Sequence, residues 1–478
     1  MSAIVTPEWV KDAVFYQIFP DRFARSDAVL KPSNLEAWDA PPTRQGFKGG
    51  DLIGVIEHLP YLANLGVDAI YFTPVFQSAS NHRYHTHDYY RVDPILGGDG
   101  ALRALLDAAH ECGVRIVLDG VFNHASRGFF QFNHLLECGP ASPYVDWFTV
   151  ERWPVNAYDP RAKKPNYKAW WNLFALPKLN TENPAVRAFI FDVAEHWIRF
   201  GADGWRLDVP FEIDDDAFWQ EFRRRVKAVN PEAYIVGELW DEAQRWLGGD
   251  QFDAQMNYLY ARAAIGFFGA ATLADLRHGP YKIEKLNAAG FAKALQHMIA
   301  IYDWQIVLAQ MTMLGSHDTP RLLTMVGGDV TAVKLAFLCM MTLPGAPCIY
   351  YGDELGLTGG YDPECRAAMP WDRLDVLKGD LWRFTRDAIA LRRAHPVLRR
   401  GTFEVVYAQG EVVAYRRALP EMGGAQALVV LNAGQEAAPV TLPVGGLREV
   451  AFGDPAAWSP ARDSTQVTAP ARSGVVLV

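Results

Sequence analysis

Eight short apolar runs recur along the chain, most of them closed by a polar or charged residue: 13–23, 67–76, 114–124, 204–210, 233–240, 252–258, 311–318 and 347–354. Between most of them lie stretches with apolar residues at helical spacing, such as VIEHLPYLANLG (55–66), ALRALLDAAHECG (101–113), PAVRAFIFDVAEHWIRFG (184–201) and TAVKLAFLCMMTLPG (331–345). A continuously apolar strand must be covered on both faces. A helix between consecutive strands supplies that cover and returns the chain for a parallel partner. Eight such units predict an α/β fold, a (β/α)8 TIM barrel. The rival is a doubly wound open sheet, disfavoured because no G-x-G-x-x-G follows any of the runs.

The spacing breaks between the third run, which starts at 114, and the fourth, which starts at 204; a βα unit takes roughly thirty residues. The excess, 123–178, is rich in Trp, Tyr, Pro and Asn, and a loop of that length is expected to be a small functional domain. After Pro396 the pattern changes to alternating strands with Gly and Pro turns, in TFEVVYAQGEVVAYRRAL, QALVVLNA, APVTLPV and GVVLV. That predicts a separate antiparallel β-sandwich. The expected organisation is a barrel from 1–122 and 179–396, an inserted domain at 123–178 and a C-terminal β-sandwich at 397–478.

In such a barrel the active site lies at the C-terminal ends of the strands. There the third run supplies Asp119, Asn123 and His124, the fourth Arg206 and Asp208, and the fifth Glu238. The seventh supplies His317 and Asp318, the eighth Asp353 and Glu354. In GADGWRLDVP (201–210), Trp205, Leu207 and Val209 alternate with Arg206 and Asp208. The period of two therefore puts a guanidinium and a carboxylate on one face of a core strand. Buried charges are costly unless paired or used. Arg206 is expected to hold Asp208 ionised, while Glu238, between YIVG and LW, sits in an apolar setting that raises its pKa. One ionised and one protonated carboxyl group are what cleavage of a glycosidic bond requires. Asp208 is then the nucleophile and Glu238 the acid and later the base. Asp318 braces the substrate and its developing positive charge.

Taken singly, each feature has a plainer reading. An Arg–Asp pair on a strand is commonly a structural ion pair. A Glu after a strand can be a helix N-terminal residue, and His124 alone fits a hydrogen-bonded core histidine. Their shared place at the strand ends favours chemistry. His82, His85 and His87 in NHRYHTHDYY raise the question of zinc, which ranks well below sugar contacts.

The formal charge of −9 on 478 residues is mild and no basic tract stands out, which sets aside nucleic acid and anionic membranes as partners. The first twenty residues lack the basic start and apolar core of a signal peptide. No apolar run is long enough to span a bilayer. Five cysteines, at 112, 138, 339, 348 and 365, form no C-x-x-C and indicate neither a disulfide framework nor a zinc ribbon. A reduced, cytoplasmic setting is expected. Any of the 15 Trp and 19 Tyr left over in loops would suit the flat faces of sugar rings.

DGVFNH (119–124), GWRLDVPFE (204–212), GELW (237–240) and LGSHDT (314–319) match, in order, the four sequence regions of the α-amylase family of glycoside hydrolases. The chain resembles that family over nearly its whole length. LPKLN (176–180), YQIFPDRFA, RWLGGDQFDAQMNY and PCIYYGDE resemble its branch containing cyclomaltodextrinase, neopullulanase and maltogenic amylase. The resemblance implies a calcium-independent double displacement with retention at an α-glucosidic bond. By motif it makes Asp208 the nucleophile, Glu238 the acid/base and Asp318 the transition-state stabiliser. It places His124, Arg206 and His317 against the sugar at the cleavage point, Tyr84 under that sugar, and Asp362 and Arg366 on the next ring toward the non-reducing end. His82, Asn123 and Trp240, within the same motifs, join the substrate-binding set.

The implied substrates are malto-oligosaccharides and related α-glucans, with cyclodextrins, pullulan and transfer to other sugars within range. The alternatives are an α-glucosidase or transglycosylase of the same family, or a non-catalytic glucan-binding relative. There are departures from the branch. Its usual N-terminal β domain has no counterpart ahead of the first strand near residue 13, so a monomer or weak oligomer is expected. Its calcium loop is eroded, with Arg25 where asparagine is usual although Asp27, Gly49 and Asp51 match. Glu212 stands where many α-amylases have a histidine beside an interdomain calcium, and His85 where aspartate is usual. No cofactor is required, and calcium near Asp27 and Asp51 is the one metal left open.

Overall fold

The computed structural model describes residues 3–275, 281–420, 424–460 and 463–478. Among them, eight parallel strands close into a barrel: β1 (Phe15–Ile18), β2 (Ala69–Phe72), β3 (Arg115–Gly120), β4 (Gly204–Leu207), β5 (Tyr234–Gly237), β6 (Ala254–Asn257), β7 (Met311–Met313) and β8 (Ala346–Tyr350). Each pairs with the next in the chain, and β8 closes on β1 through Cys348 opposite Phe15. Seven fall inside the apolar runs of the sequence, and β8 starts one residue early. Of the strand residues, Arg115 is exposed and the others are buried, as strands covered on both faces should be.

The helix before β4, Pro184–Phe200, shows how the sequence sets these units. The Asn183 side chain accepts from the Ala185 N–H at 2.8 Å, Pro184 opens the first turn, and Gly201 ends the helix at φ 117°, the left-handed conformation that glycine adopts without strain. Val186, Ile190, Val193, Ala194 and Trp197 are its buried stripe. The chain then enters β4 at Gly204, where a Cβ would lie 2.3 Å from the Tyr234 carbonyl oxygen. Only glycine lets β4 approach β5 this closely, and that approach brings the ends of the two strands together.

Between β3 and β4 the inserted segment folds back on the barrel mouth through short bridges that pair His124 with Lys178, Phe148 with Leu179 and Ala169 with Pro177. After the barrel, a five-stranded antiparallel sheet (Thr402–Gln409, Val412–Leu419, Ala425–Asn432, Ser473–Leu477, Val450–Phe452 in spatial order) faces a three-stranded one (Ala438–Leu442, Thr465–Ala469, Trp458–Pro460). The buried Arg417 joins this sandwich to the barrel. Its Nη1 donates to the carbonyls of Thr342, at the end of the helix Val330–Thr342, and of Leu398. No helix among the described residues is long and apolar enough to cross a membrane.

Candidate active site

Arg206 lies on β4 directly opposite Asp119 on β3 and is fully buried. Its neighbours Trp205 and Leu207 face the outer helices, with the Trp205 indole N–H donating to the Ala194 carbonyl. The pleat thus aims Arg206 and Asp208 into the mouth, as the alternation predicts. Arg206 Nη1 donates to both Asp119 oxygens and to Asp208 Oδ1, each at 3.0 Å. Its Nη2 sits 3.0 Å from Glu238 Oε2. One guanidinium therefore ties together three carboxylates from three strand ends.

Glu238 follows β5. Its Oε2 accepts from the Val209 N–H at 3.0 Å and its Oε1 from Trp240 Nε1 at 3.1 Å. Val209 gives that hydrogen bond from a left-handed backbone, φ 35° and ψ 51°. A β-branched residue is strained there, and strain of this kind is retained where the surrounding structure fixes it for use. The turn at Val209 locks the residue after Asp208 onto the carboxyl group of Glu238. The Trp240 indole is also stacked on Tyr258, with centroids 3.8 Å apart and planes 6° apart.

A second chain of hydrogen bonds runs across the barrel. The Gln17 amide donates to His317 Nδ1 at 2.9 Å, which leaves the imidazole proton on Nε2, 2.7 Å from the Tyr84 oxygen. Tyr84 and Tyr71 donate in turn to Asp119 Oδ2 at 2.9 and 3.0 Å. The Tyr84 and His317 rings are stacked at 5.4 Å and 6°. Burial, with Arg366 and Arg206 nearby, holds His317 well below its usual pKa. The imidazole is neutral and acts as a fixed donor.

Asp318 is less enclosed. Its Oδ1 accepts from Arg366 Nη2 at 3.1 Å and its Oδ2 lies 3.1 Å from His317 Nε2. Arg366 also reaches Asp362 at 3.2 Å. His124 is fully buried at the end of β3, and burial pushes its pKa down to about 3. Asn123 Nδ2 donates to His124 Nδ1 at 3.2 Å. His82 stands behind Tyr84, accepting that residue's backbone N–H at 3.1 Å. Asp208, Glu238, Asp318, Arg206, His317, Tyr84 and Arg366 are thus linked at one mouth. The sequence places Asp119 at the mouth without a role, and Tyr71 and Gln17 are not among the residues it singles out. Their signal was one polar group on the inner face of an otherwise apolar strand.

Two sequence expectations are corrected. Arg206 does not by itself keep Asp208 ionised. Burial is the larger effect and raises the carboxyl groups of Asp208 and Glu238, and it takes Asp119 up to about 6, with the Arg206 charge opposing each shift. One cation cannot neutralise three carboxylates, so the cluster titrates as a unit and retains protons that isolated carboxyl groups would release. Asp353 and Glu354 do not join the mouth. Asp353 pairs with Arg321 at 3.2 Å, and Glu354 Oε1 accepts from the hydroxyls of Tyr16 and Tyr61 at 2.8 and 2.6 Å. Both carboxylates brace the barrel wall.

Residues 17–379 match the family described as Alpha amylase, catalytic domain. The chain belongs to the α-amylase family of glycoside hydrolases. It is 46% identical over 440 residues to a cyclomaltodextrinase of Geobacillus thermopakistaniensis (strain MAS1), covering 92% of this chain and 71% of the relative. It is 44% identical over 417 residues to neopullulanase 2 of Thermoactinomyces vulgaris, covering 87% of this chain and 68% of the relative. The crystal structure of a debranching enzyme from Nostoc punctiforme shares 48% identity at a TM-score of 0.90, with 99% of each chain covered.

The calcium ligands that the α-amylase family resemblance leaves open do not fit a metal here. Asp51 Oδ1 accepts from Ser26 Oγ at 2.9 Å and from the Gly54 N–H at 2.7 Å. Its Oδ2 accepts from the Ser26 N–H and pairs with Lys31 Nζ, both at 2.8 Å. Four donors use the four lone-pair sites of the carboxylate, and Asp27 is exposed. At the second position, Glu212 pairs with Lys178 at 3.0 Å. Lysine ammonium groups supply the positive charge in both places. Replacing Lys31 with Met should destabilise the fold by about 3 kcal/mol by stranding the buried Asp51 charge, while chelator leaves the parent's Tm unchanged. Calorimetry with and without EDTA checks both outcomes.

Proposed function

We propose that this enzyme hydrolyses α-1,4-glucosidic bonds of malto-oligosaccharides and related glucans, cyclodextrins and pullulan included, with retention of configuration. The observation that carries the reading is the single guanidinium joining Asp208 to Glu238. It keeps the two groups close, as in retaining glycosidases, where they stand about 5–5.5 Å apart. It also leaves them to share a proton, so that one attacks while the other protonates. Asp208 attacks the anomeric carbon as Glu238 gives its proton to the departing oxygen. A covalent glycosyl ester forms on Asp208. Glu238 then takes a proton from water, which attacks the same carbon from the opposite side and releases the α-anomer. Asp318, held by Arg366 and beside His317, faces the positive charge that develops on the sugar. Tyr84 and His317 offer a flat stacked surface at the cleavage point.

The test is product analysis with maltotriose, β-cyclodextrin and pullulan, with the anomer formed first followed by proton NMR. Cleavage of maltotriose whose newly formed reducing end appears first as the α-anomer supports the reading; a new reducing end formed first as the β-anomer, or no cleavage of any of the three, overturns it. We place the activity in the cytoplasm, where the five unpaired cysteines suit a reducing compartment.

Trp240 gives a prediction about pH. Its N–H stabilises the ionised form of Glu238 and so lowers that group's pKa. Trp240→Phe removes the donor and keeps an aromatic ring against Tyr258. The Glu238 pKa then rises, the proton is held to higher pH, and the alkaline limb of the kcat/KM profile moves up. A downward shift would contradict the hydrogen-bond assignment.

A further inference from the structure

In the segment between β3 and β4, three rings lie nearly parallel in a column. His124 and Trp170 have centroids 5.0 Å and planes 9° apart, and Trp170 and Trp171 follow at 4.3 Å and 14°. The column starts at a fully buried side chain at the mouth and ends at an indole that is 75% exposed. Two consecutive residues, Trp171 at φ 49° and Asn172 at φ 56°, adopt the left-handed backbone. Non-glycine residues rarely do so, and such strain persists where the structure imposes it. Backbone hydrogen bonds impose it here: the Asn172 N–H donates to Ala169, and the Trp170 and Leu173 N–H groups join the loop to Leu176 and back to Trp170. The strained turn presents the largest apolar side chain to solvent rather than to the core.

The edge of the column is polar. His124 Nε2 and Trp170 Nε1 are buried and have no hydrogen-bond partner among the described residues. The Asn123 amide occupies His124 Nδ1, and the imidazole is neutral at ordinary pH, so Nε2 carries a proton. Both orphaned atoms are therefore donors seeking an acceptor. Two edge donors beside a flat apolar face match a pyranose, which offers hydroxyl oxygens around its rim and C–H groups on its faces.

We infer that His124, Trp170 and Trp171 form a glucan-binding wall that leads from the cleavage point to solvent and selects for chain length. The inference rests on the α-glucan reading above. Hydroxyl groups near the cleaved bond accept from His124 Nε2 and Trp170 Nε1. The two ring-to-ring steps carry the wall beyond the sugar at the cleavage point, so Trp171 is reached only by substrates with further glucosyl units, one of which stacks on its indole.

The test compares maltohexaose with maltose in the parent and in Trp171→Ala, Trp171→Phe and Trp170→Phe. In Trp171→Ala the ratio of kcat/KM for maltohexaose to that for maltose falls about tenfold. Trp171→Phe restores most of it. Trp170→Phe, which keeps the ring and removes the N–H, lowers affinity for both sugars. Calorimetric titration of maltohexaose into Asp208→Asn protein, with and without Trp171→Ala, reads the wall without turnover and shows weaker binding in the double variant. An unchanged ratio together with unchanged binding overturns the wall. A parent that cleaves no glucan overturns the hydrolytic reading instead, while the titration still reports on the wall.

Discussion

Asp208→Asn is expected to lower kcat on maltotriose by about 10⁴-fold, with the fold intact. The amide has the shape of the carboxylate and still accepts from Arg206 Nη1, but it cannot attack a carbon. Stability should hold or rise, because the change removes one of three carboxylates that repel one another around a single guanidinium. Loss of rate with an unchanged or higher Tm separates a chemical role from a structural one. A variant that cleaves maltotriose at the parent's rate would remove Asp208 from the mechanism. Glu238→Gln should behave differently. It should slow natural sugars severely and spare α-maltosyl fluoride, whose leaving group needs no proton. Equal losses on both substrates would count against the acid role. Azide tells the two groups apart by stereochemistry. In Glu238→Ala it intercepts the glycosyl ester and gives the α-azide, whereas in Asp208→Ala it takes the nucleophile's place and gives the β-azide.

The barrel was legible because a parallel strand covered on both faces leaves a continuous apolar run, and the polar residue that ends each run marks the mouth. Arg206 and Asp208 were legible for the same local reason, a period of two within one short strand. What was not legible depends on distant parts of the chain meeting. Asp353 and Glu354 end the eighth run as Asp318 ends the seventh, yet Tyr16, Tyr61 and Arg321 turn them into the wall. The protonation of Asp208 depends on Asp119 and Glu238 sharing its arginine, which no single motif records. The aromatic richness of 123–178 was plain in the sequence. The ring column was not, because its order depends on where the bridges between His124 and Lys178 and between Ala169 and Pro177 bring the loop back.

Arg206→Met tests the electrostatic centre of the site. Methionine fills a similar volume beside Met256, whose sulfur lies 3.4 Å from Arg206 Nε, but it brings no charge. Asp119, Asp208 and Glu238 would then be buried without a cation in contact, and breaking a buried pair of this kind costs about 3–5 kcal/mol. The size of the loss should depend on pH. In the parent the folded-state carboxyl groups already bind protons more tightly than their ordinary values of 3.8 for Asp119 and Asp208 and 4.5 for Glu238, and the Arg206 charge opposes each rise. Its removal raises all three further. An acid whose pKa is raised on folding takes nothing from stability below its unfolded value and destabilises progressively as pH climbs from that value toward the folded one, above which the penalty is constant. The Tm gap between parent and variant should therefore be small near pH 4 and widen steadily toward pH 8. Activity at pH 7 should fall by about a thousandfold or more, because the pair that must divide one proton would hold two. Arg206→Lys should fall between the two, since an ammonium is a point charge where the guanidinium forks to several oxygens at once. A gap that is flat with pH, or that widens toward acid, would mean that the carboxylates are neutralised by something other than Arg206.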